Sequence, residues 1–223
     1  MTEAFEEGAF LGLPCSDEPA DVVVVPLAYE LTTSYGTGTF GGALACLEAS
    51  AQVELYDELL GTDLPAGRVI ATEQVWESNA PTLRRQLDEL AAHALNFYGG
   101  AIFPLFLGGE HGILPPLVHA ARHHPAVEAD LSNLTIVQLD AHADLRSALG
   151  GEVFSHACAA SRSLDLGVGR LFQAGVRAYS QEEHERIRSD ERITTYFAKD
   201  TQHPHPGKAV WGQWLQALEA LSG

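Results

Sequence analysis

A stretch at residues 134–146, L-T-I-V-Q-L-D-A-H-A-D-L-R, constrains this chain more than any other feature. It begins with β-branched and apolar residues, which is typical of a parallel strand buried on both faces, and it ends in charged residues. If the extended backbone continues past Leu139, the side chains of Asp140, His142 and Asp144 point the same way, because side chains alternate along a strand. Two carboxylates so close repel each other unless a cation lies between them. Oxygen and imidazole ligands suit Mn²⁺, Fe²⁺ or Zn²⁺, so the pattern predicts a divalent metal site.

The alternative is a strand end whose charged side chains are merely hydrated, and a second stretch weighs against it. Residues 101–107, A-I-F-P-L-F-L, predict another buried strand, although Pro104 is unusual inside one. Glycines then allow a tight turn into a helix predicted over residues 112–124, whose two prolines fit only in its first turn. His111 thus lies at the C-terminal edge of a strand, where open α/β sheets place their sites. Two strands that end in metal-type ligands at one edge favour the metal site.

Three motifs in this order resemble a known family: G-G-E-H-G at residues 108–112, D-A-H-A-D-L-R at 140–146 and F-S-H-A-C at 154–158. They are similar to those of the ureohydrolases, the arginase and agmatinase family of binuclear manganese enzymes, and most of all to the agmatinase branch. T-S-Y-G-T-G-T at 33–39, E-A-S at 48–50 and V-E-L-Y-D at 53–57 resemble the family's first loop and helix. The resemblance runs from about residue 22 to the C-terminus.

The resemblance implies a reaction and a set of roles. It implies hydrolysis of a guanidino group to urea and an amine, with agmatine giving putrescine. Asp140 would bridge two Mn²⁺ ions that share a water. The ions would lower the pKa of this water, so that hydroxide is available near neutral pH. His111 and Asp144 would hold one ion, and His142 would hold the second. His156, which as a lone histidine before a helix would usually be structural, matches the family's acid/base histidine and would carry a proton to the leaving amine.

The sequence also departs from the family pattern after its last predicted helix. Family members continue into a strand with an S-x-D-x-D-x-x-D-P motif, which completes both metal sites, and a later glutamate binds the guanidinium group. No such motif occurs in the 223 residues, so we expect a truncated frame or a fragment. Because the family's final strands insert in the middle of its sheet, strand edges and apolar surface should be exposed here. The alternative function is therefore a non-catalytic relative that acts as a binding module, or a product that does not fold stably.

Strands and helices alternate along the chain, which predicts a three-layer α/β/α fold with a mostly parallel, doubly wound sheet. We expect one incomplete arginase-like domain over residues 1–223, in which residues 1–20 form an N-terminal arm. The predicted strands span residues 21–27, 53–56, 101–107, 134–139, 171–176 and 193–197. The predicted helices span residues 43–51, 80–98, 112–124, 181–189 and 211–221, and another begins at residues 154–158. Residues 32–42 form a loop, on the substrate side if the resemblance holds.

Composition limits the partners and the compartment. A formal charge of −17 argues against nucleic-acid binding, and no apolar run approaches the roughly 20 residues of a membrane span. Cys15, Cys46 and Cys158 lack the spacing of a disulfide framework or a thiolate zinc site, which fits a reducing cytoplasm. The expected partner is a small guanidino compound, and the resemblance implies a homo-oligomer.

Several other polar residues are better explained by burial or hydration than by catalysis or metal binding. Cys158 could be a nucleophile paired with His156, but side chains two positions apart on a helix diverge, so a small buried residue is the better interpretation. Hydrated helix and loop positions are likewise preferred to a metal site for the remaining histidine pairs. These pairs are His119 with His123, and His203 with His205.

Overall fold

The computed structural model describes residues 9–201 and 210–220, and the chain divides into two compact units, Met1–Pro125 and Ala126–Gly223. Because the chain divides in this way, the single domain expected over residues 1–223 stays a prediction. His203, His205 and the first eight residues of the predicted arm lie outside the described residues. Across the described part of the chain, no helix combines the length and apolar character that crossing a membrane requires.

The first unit is built on a three-stranded parallel sheet in the order β4-β1-β5. Its elements are β1 (Val22–Pro26), α1 (Gly42–Ser50), β2 (Tyr56–Asp57), β3 (Thr62–Asp63), β4 (Ile70–Thr72), α2 (Leu83–Ala94), β5 (Phe103–Leu107) and α3 (Leu114–Ala121). The middle strand β1 is buried because its run of valines packs on both faces. Helix α2 buries Leu87, Leu90 and Ala94, which recur at helical spacing, and Thr82 caps its first turn.

Pro104 is accommodated inside β5 because of the direction in which its nitrogen points. The amide of Phe103 donates to the carbonyl of Asp21 beside β1, at 2.8 Å. Successive amides of a strand point to opposite edges, so the nitrogen of Pro104 faces away from β1. The strand pairs with β1 on that side only within this unit, and the missing N–H costs no bond there.

The N-terminal arm packs on the first unit where the structure describes it. The amide of Phe10 donates to Thr72 Oγ1 at 2.9 Å, and that of Leu11 donates to Ser50 Oγ at 2.8 Å. These bonds tie residues before β1 to β4 and α1.

The second unit holds another three-stranded parallel sheet, in the order β6-β7-β8. Its elements are β6 (Thr135–Leu139), α4 (Ala159–Asp165), β7 (Arg170–Val176), α5 (Gln181–Ser189), β8 (Ile193–Phe197), α6 (Ala198–Thr201) and α7 (Val210–Glu219). Alternate residues of β7 enter two cores on opposite faces. Leu171 packs in a cluster with Leu164 of α4, whereas Phe172 packs with Trp214 of α7. Helices therefore cover both faces of this sheet, as a three-layer arrangement requires.

The predicted α/β class with mostly parallel sheets is confirmed, but several details are wrong. The strand predicted over residues 53–56 forms only at Tyr56–Asp57, and the short strands β3 and β4 were not predicted. The predicted burial of the 134–139 strand on both faces is also wrong, since Val137 and Leu139 are 47% and 68% exposed. Ile136 packs against the Leu171 cluster on one face. Val137 and Leu139 point to the opposite face, where the cluster around Trp214 of α7 is built on β7 and β8.

Acid should destabilise the first unit through His93. Its ring lies between Trp76 and Phe97, at centroid distances of 5.9 and 5.3 Å, and burial lowers its pKa below the usual 6.5 although Glu73 acts in the opposite direction. Because the pKa of His93 is lower in the folded state than in the unfolded one, the neutral ring's contribution to the free energy of unfolding is fully present above about pH 6.5. This contribution declines as the pH falls below that value.

We expect the free energy of unfolding in urea to decrease from pH 8 to pH 5, and His93→Gln to flatten that dependence. The matched control is His119→Gln, since His119 is exposed on α3. Equal pH profiles for the two variants would contradict the assignment to His93.

Candidate metal centre

Asp140 follows directly on β6, but the strand does not continue beyond it as predicted. The amide of Asp140 donates to the carbonyl of Ala174 at 3.1 Å, which extends the pairing with β7 by one residue. The backbone then leaves the extended path, and Asp144 adopts a left-handed φ of 53°. A carboxylate oxygen of Asp140 and one of Asp144 nevertheless lie within 4.8 Å of each other. The loop, and not strand alternation, brings the two carboxylates together.

Backbone hydrogen bonds fix this loop on the second unit. The carbonyl of Ala141 accepts from the amides of Arg177 and Ala178, at 2.8 and 3.0 Å. The amide of Leu145 donates to the buried carboxylate of Glu183 at 3.0 Å. Glu183 also completes the capping box with Ser180 that begins α5. The loop is therefore held on one side by the end of β7 and on the other by the first turn of α5.

The side chains of the loop differ in their surroundings. The Asp140 side chain is 10% exposed, and its Oδ1 accepts from the amide of His142 at 2.9 Å while its Oδ2 accepts from Gln138 Nε2 at 3.0 Å. Asp144 is buried. The His142 ring is 66% exposed, and its Nδ1 lies 3.7 Å from Asp140 Oδ1, beyond hydrogen-bond distance. The carboxylate pair is thus recessed, whereas the imidazole is open to solvent.

His156 begins the short helical turn His156–Cys158 that leads into α4. Ser155 caps this turn by accepting from the amide of Ala157, and its Oγ lies 3.4 Å from His156 Nδ1. Two backbone bonds join this region to the loop: Arg146 donates to the carbonyl of Ala157, and Ser161 donates to that of Asp144. The helix start that carries His156 is consequently fixed beside the loop that carries the carboxylates.

Cys158 is fully buried, which confirms its interpretation as a small buried residue. Burial, the largest influence, raises the pKa of its thiol. A raised pKa disfavours the thiolate that nucleophilic attack needs, so the alternative role as a nucleophile loses support.

His111 lies in the first unit, where it is exposed and opens the turn His111–Ile113 four residues after β5. The preceding Glu110 is buried, and its carboxylate accepts from both the amide and the hydroxyl of Thr32. A Cβ on Gly109 would lie 2.2 Å from the carbonyl oxygen of Tyr29 and 2.7 Å from that of Thr39. The glycine is required because the 29–39 segment passes directly against the turn.

Glu30 closes the predicted loop on itself. Its Oε2 accepts from the amides of Gly38 and Phe40, at 2.7 and 3.0 Å, and from the hydroxyl of Thr39 at 2.9 Å. These bonds, that of Phe40 foremost, lower the pKa of the Glu30 carboxyl. Glu30 and Glu110 were not singled out from the sequence, although a glutamate inside G-G-E-H-G was a usable signal. Together the two glutamates define the shape of the loop beside His111.

The donors of the second unit fit a divalent cation. Two carboxylates within 4.8 Å of each other offer oxygen ligands, and the adjacent His142 offers an imidazole. The carboxylate oxygens are hard donors and the imidazole nitrogen is a borderline one. Such a set suits Mn²⁺, Fe²⁺ or Zn²⁺. Proximity of two anions in a recessed position is also energetically reasonable when a cation neutralises them.

Comparisons with known proteins agree with these observations. A sequence model of the arginase family matches residues 20–219. N(1)-aminopropylagmatine ureohydrolase from Synechocystis sp. is 37% identical over 185 residues, which are 81% of this chain and 58% of that protein. The crystal structure of agmatine ureohydrolase from Thermoplasma volcanium superposes with a TM-score of 0.71 at 25% identity, over 90% of this chain and 63% of that one.

A more distant structure supports the fold alone. Trypanosoma cruzi formiminoglutamase, solved with Mn²⁺, superposes with a TM-score of 0.73 at 16% identity, over 98% of this chain and 72% of that one. This chain spans less than two thirds of the length of the Synechocystis and Thermoplasma proteins.

Proposed function

Because the chain belongs to the arginase family, we propose that it hydrolyses a guanidino compound to urea and an amine with the help of divalent metal ions. The observation that carries the proposal is the pair of recessed carboxylates, Asp140 and Asp144, within 4.8 Å of each other. We propose agmatine, which yields putrescine, as the substrate. N(1)-aminopropylagmatine is the second candidate, favoured by the name of the relative that is 37% identical.

We propose Mn²⁺ as the metal, with Asp140, His142 and Asp144 as ligands from the second unit. His111 is proposed as a further ligand on the G-G-E-H-G motif alone. The oxygen and imidazole donors suit Mn²⁺, Fe²⁺ or Zn²⁺, and the family resemblance favours Mn²⁺ among these ions. When bound, such ions act as Lewis acids that lower the pKa of water and make hydroxide available near neutral pH.

The protein's own residues would keep the Asp140 carboxylate in one orientation and supply a proton to the leaving amine. Asp140 keeps one orientation because both of its oxygens accept hydrogen bonds, from the His142 amide and from Gln138. His156 has its Nδ1 facing Ser155 Oγ, so we propose that its Nε2 delivers the proton to the leaving amine. The role rests on this geometry and on the S-H-A-C motif.

The compartment and the assembly are also proposals. We propose a reducing cytoplasm, because Cys15, Cys46 and Cys158 lack the spacing of a disulfide framework or a thiolate zinc site. A homo-oligomer is proposed from the family resemblance alone.

The proposal predicts that Asp140→Ala abolishes tight Mn²⁺ binding and urea release together. The substitution would remove one of the two recessed carboxylates that would hold a cation, together with its negative charge. Mn²⁺ stoichiometry should be measured after dialysis, and urea release with agmatine and with N(1)-aminopropylagmatine. The charge-matched control is Glu191→Ala, an exposed carboxylate of the same unit, which should change neither quantity.

Each outcome of this experiment decides between the alternatives. Retention of two tightly bound ions by Asp140→Ala would contradict the ligand assignment. Absence of both Mn²⁺ uptake and urea release in the unmodified chain would instead favour the non-catalytic binding module.

A further inference from the structure

A chain of polar side chains crosses the second unit's sheet and ends on the Asp140 carboxylate. Thr195 Oγ1 on β8 donates to Gln173 Oε1 on β7 at 2.9 Å. Gln173 Nε2 donates to Gln138 Oε1 on β6 at 2.8 Å. Gln138 Nε2 then donates to Asp140 Oδ2 at 3.0 Å. The sheet register places these partners side by side, since Gln138 pairs with Gln173 and Gln173 pairs with Thr195.

The direction of the chain is fixed by a backbone carbonyl. Gln173 lies 2.8 Å from the carbonyl oxygen of Ala143, which can only accept, so the Gln173 atom there must be the amide nitrogen. Its oxygen then faces Thr195, whose hydroxyl can donate. The same nitrogen faces Gln138, which must therefore present its oxygen. The Gln138 amide nitrogen is left toward Asp140, whose carboxylate accepts.

The middle of this chain is inaccessible to water. Gln173 is fully buried, whereas Gln138 is partly exposed on β6. A buried amide keeps its partners because water cannot replace a lost one. Gln173 therefore holds the 140–146 loop at two points, directly through the Ala143 carbonyl and indirectly through Asp140.

We propose that Thr195 and Gln173 are positioning residues that, through Gln138, hold the Asp140 carboxylate in the orientation that binds a divalent cation. This inference rests on the proposed function, since it concerns the same carboxylate. Groups that orient a metal ligand through a hydrogen bond typically change metal affinity 10–100-fold when they are removed. The inference extends that set of groups across three strands to Thr195 on β8. The hydrogen bond described for Thr195 is with Gln173 and not with a proposed metal ligand.

The test is the Mn²⁺ affinity of strand β8 variants, measured by calorimetric titration into protein stripped with a chelator. Thr195→Val removes the hydroxyl at nearly constant shape, and we expect it to weaken Mn²⁺ binding about tenfold. Thr195→Ser keeps the hydroxyl and should retain the parent affinity. Thr194→Val is the matched control, because Thr194 is exposed and adjacent on the same strand.

A second variant separates positioning from a general loss of stability. Gln138→Leu cuts the last link at a partly exposed site and leaves the bonds of Gln173 to Ala143 and Thr195 in place. Its affinity loss should be at least that of Thr195→Val, and the double variant should lose no more than Gln138→Leu alone, because both act along one chain.

The outcomes are distinguishable. Equal Mn²⁺ affinity for Thr195→Val and Thr194→Val, or additive losses in the double variant, would overturn the inference and leave the proposed function intact. Failure of the unmodified protein to bind Mn²⁺ would overturn the proposed function itself, and the inference with it.

Discussion

Gly109→Ala is expected to destabilise the first unit by about 3 kcal/mol or more, at the upper end of the cost of overpacking. The new Cβ would lie 2.2 Å from the Tyr29 carbonyl oxygen and 2.7 Å from that of Thr39. Both obstacles are backbone atoms, which cannot rotate away as a side-chain end can. The 29–39 segment could yield only by giving up bonds that Glu30 and Glu110 accept from Gly38, Thr39 and Thr32.

The measurement is urea unfolding of Gly109→Ala against Gly100→Ala. A Cβ on Gly100 meets nothing within 4 Å and its φ is not left-handed, so that variant should be within about 0.5 kcal/mol of the parent or more stable. Equal stabilities for the two variants would show that the 29–39 segment can retreat from the turn at little cost.

The elements predicted well from the sequence are those whose signals are local. Helix α5 and strand β8 have the predicted bounds, and the capping box of Ser180 and Glu183 explains why the helix begins where it does. The valine run of β1 was equally clear. Strand β4 was missed because three residues carry no periodicity, and its place in the sheet comes from pairing with β1.

The candidate site shows a different kind of limit. The residue types on the 140–146 loop indicated metal chemistry, but the expected route to their proximity was wrong. The strand ends at Leu139, and a left-handed residue at Asp144 turns the loop so that the two carboxylates meet. The turn is held by the bond that the Ser161 amide donates to the Asp144 carbonyl and by the bond that Glu183 accepts from the Leu145 amide. Both partners lie outside the loop and leave no local pattern in its sequence.

Gln173 was missed for a related reason. In L-F-Q-A-G-V it reads as one polar residue within a buried strand, and only the register with Gln138 and Thr195 gives it partners. Register between parallel strands is set by tertiary packing, because long connections separate them. The sequence could therefore point to candidate metal ligands, but not to the side chains that are linked to them by hydrogen bonds across the sheet.

His156→Ala is expected to lower kcat by a factor on the order of 10²–10⁴ while Mn²⁺ stoichiometry stays unchanged, as is typical when a general acid or base is removed. The structure favours such a separation because His156 is held by Ser155 and by the start of α4, and the loop bonds from Arg146 and Ser161 involve backbone atoms that the substitution leaves in place. The carboxylates of Asp140 and Asp144 should therefore keep their positions.

Two further readouts identify the missing group as a proton carrier. Added imidazole should restore part of the rate in His156→Ala, because a small base can enter the space that the ring leaves, and the parent's dependence of kcat on pH should flatten in the variant. His119→Ala, at an exposed position on α3, is the control and should keep full activity. If Mn²⁺ is lost together with activity, His156 is a ligand or a structural residue, because a residue that only transfers a proton leaves the metal where the carboxylates hold it.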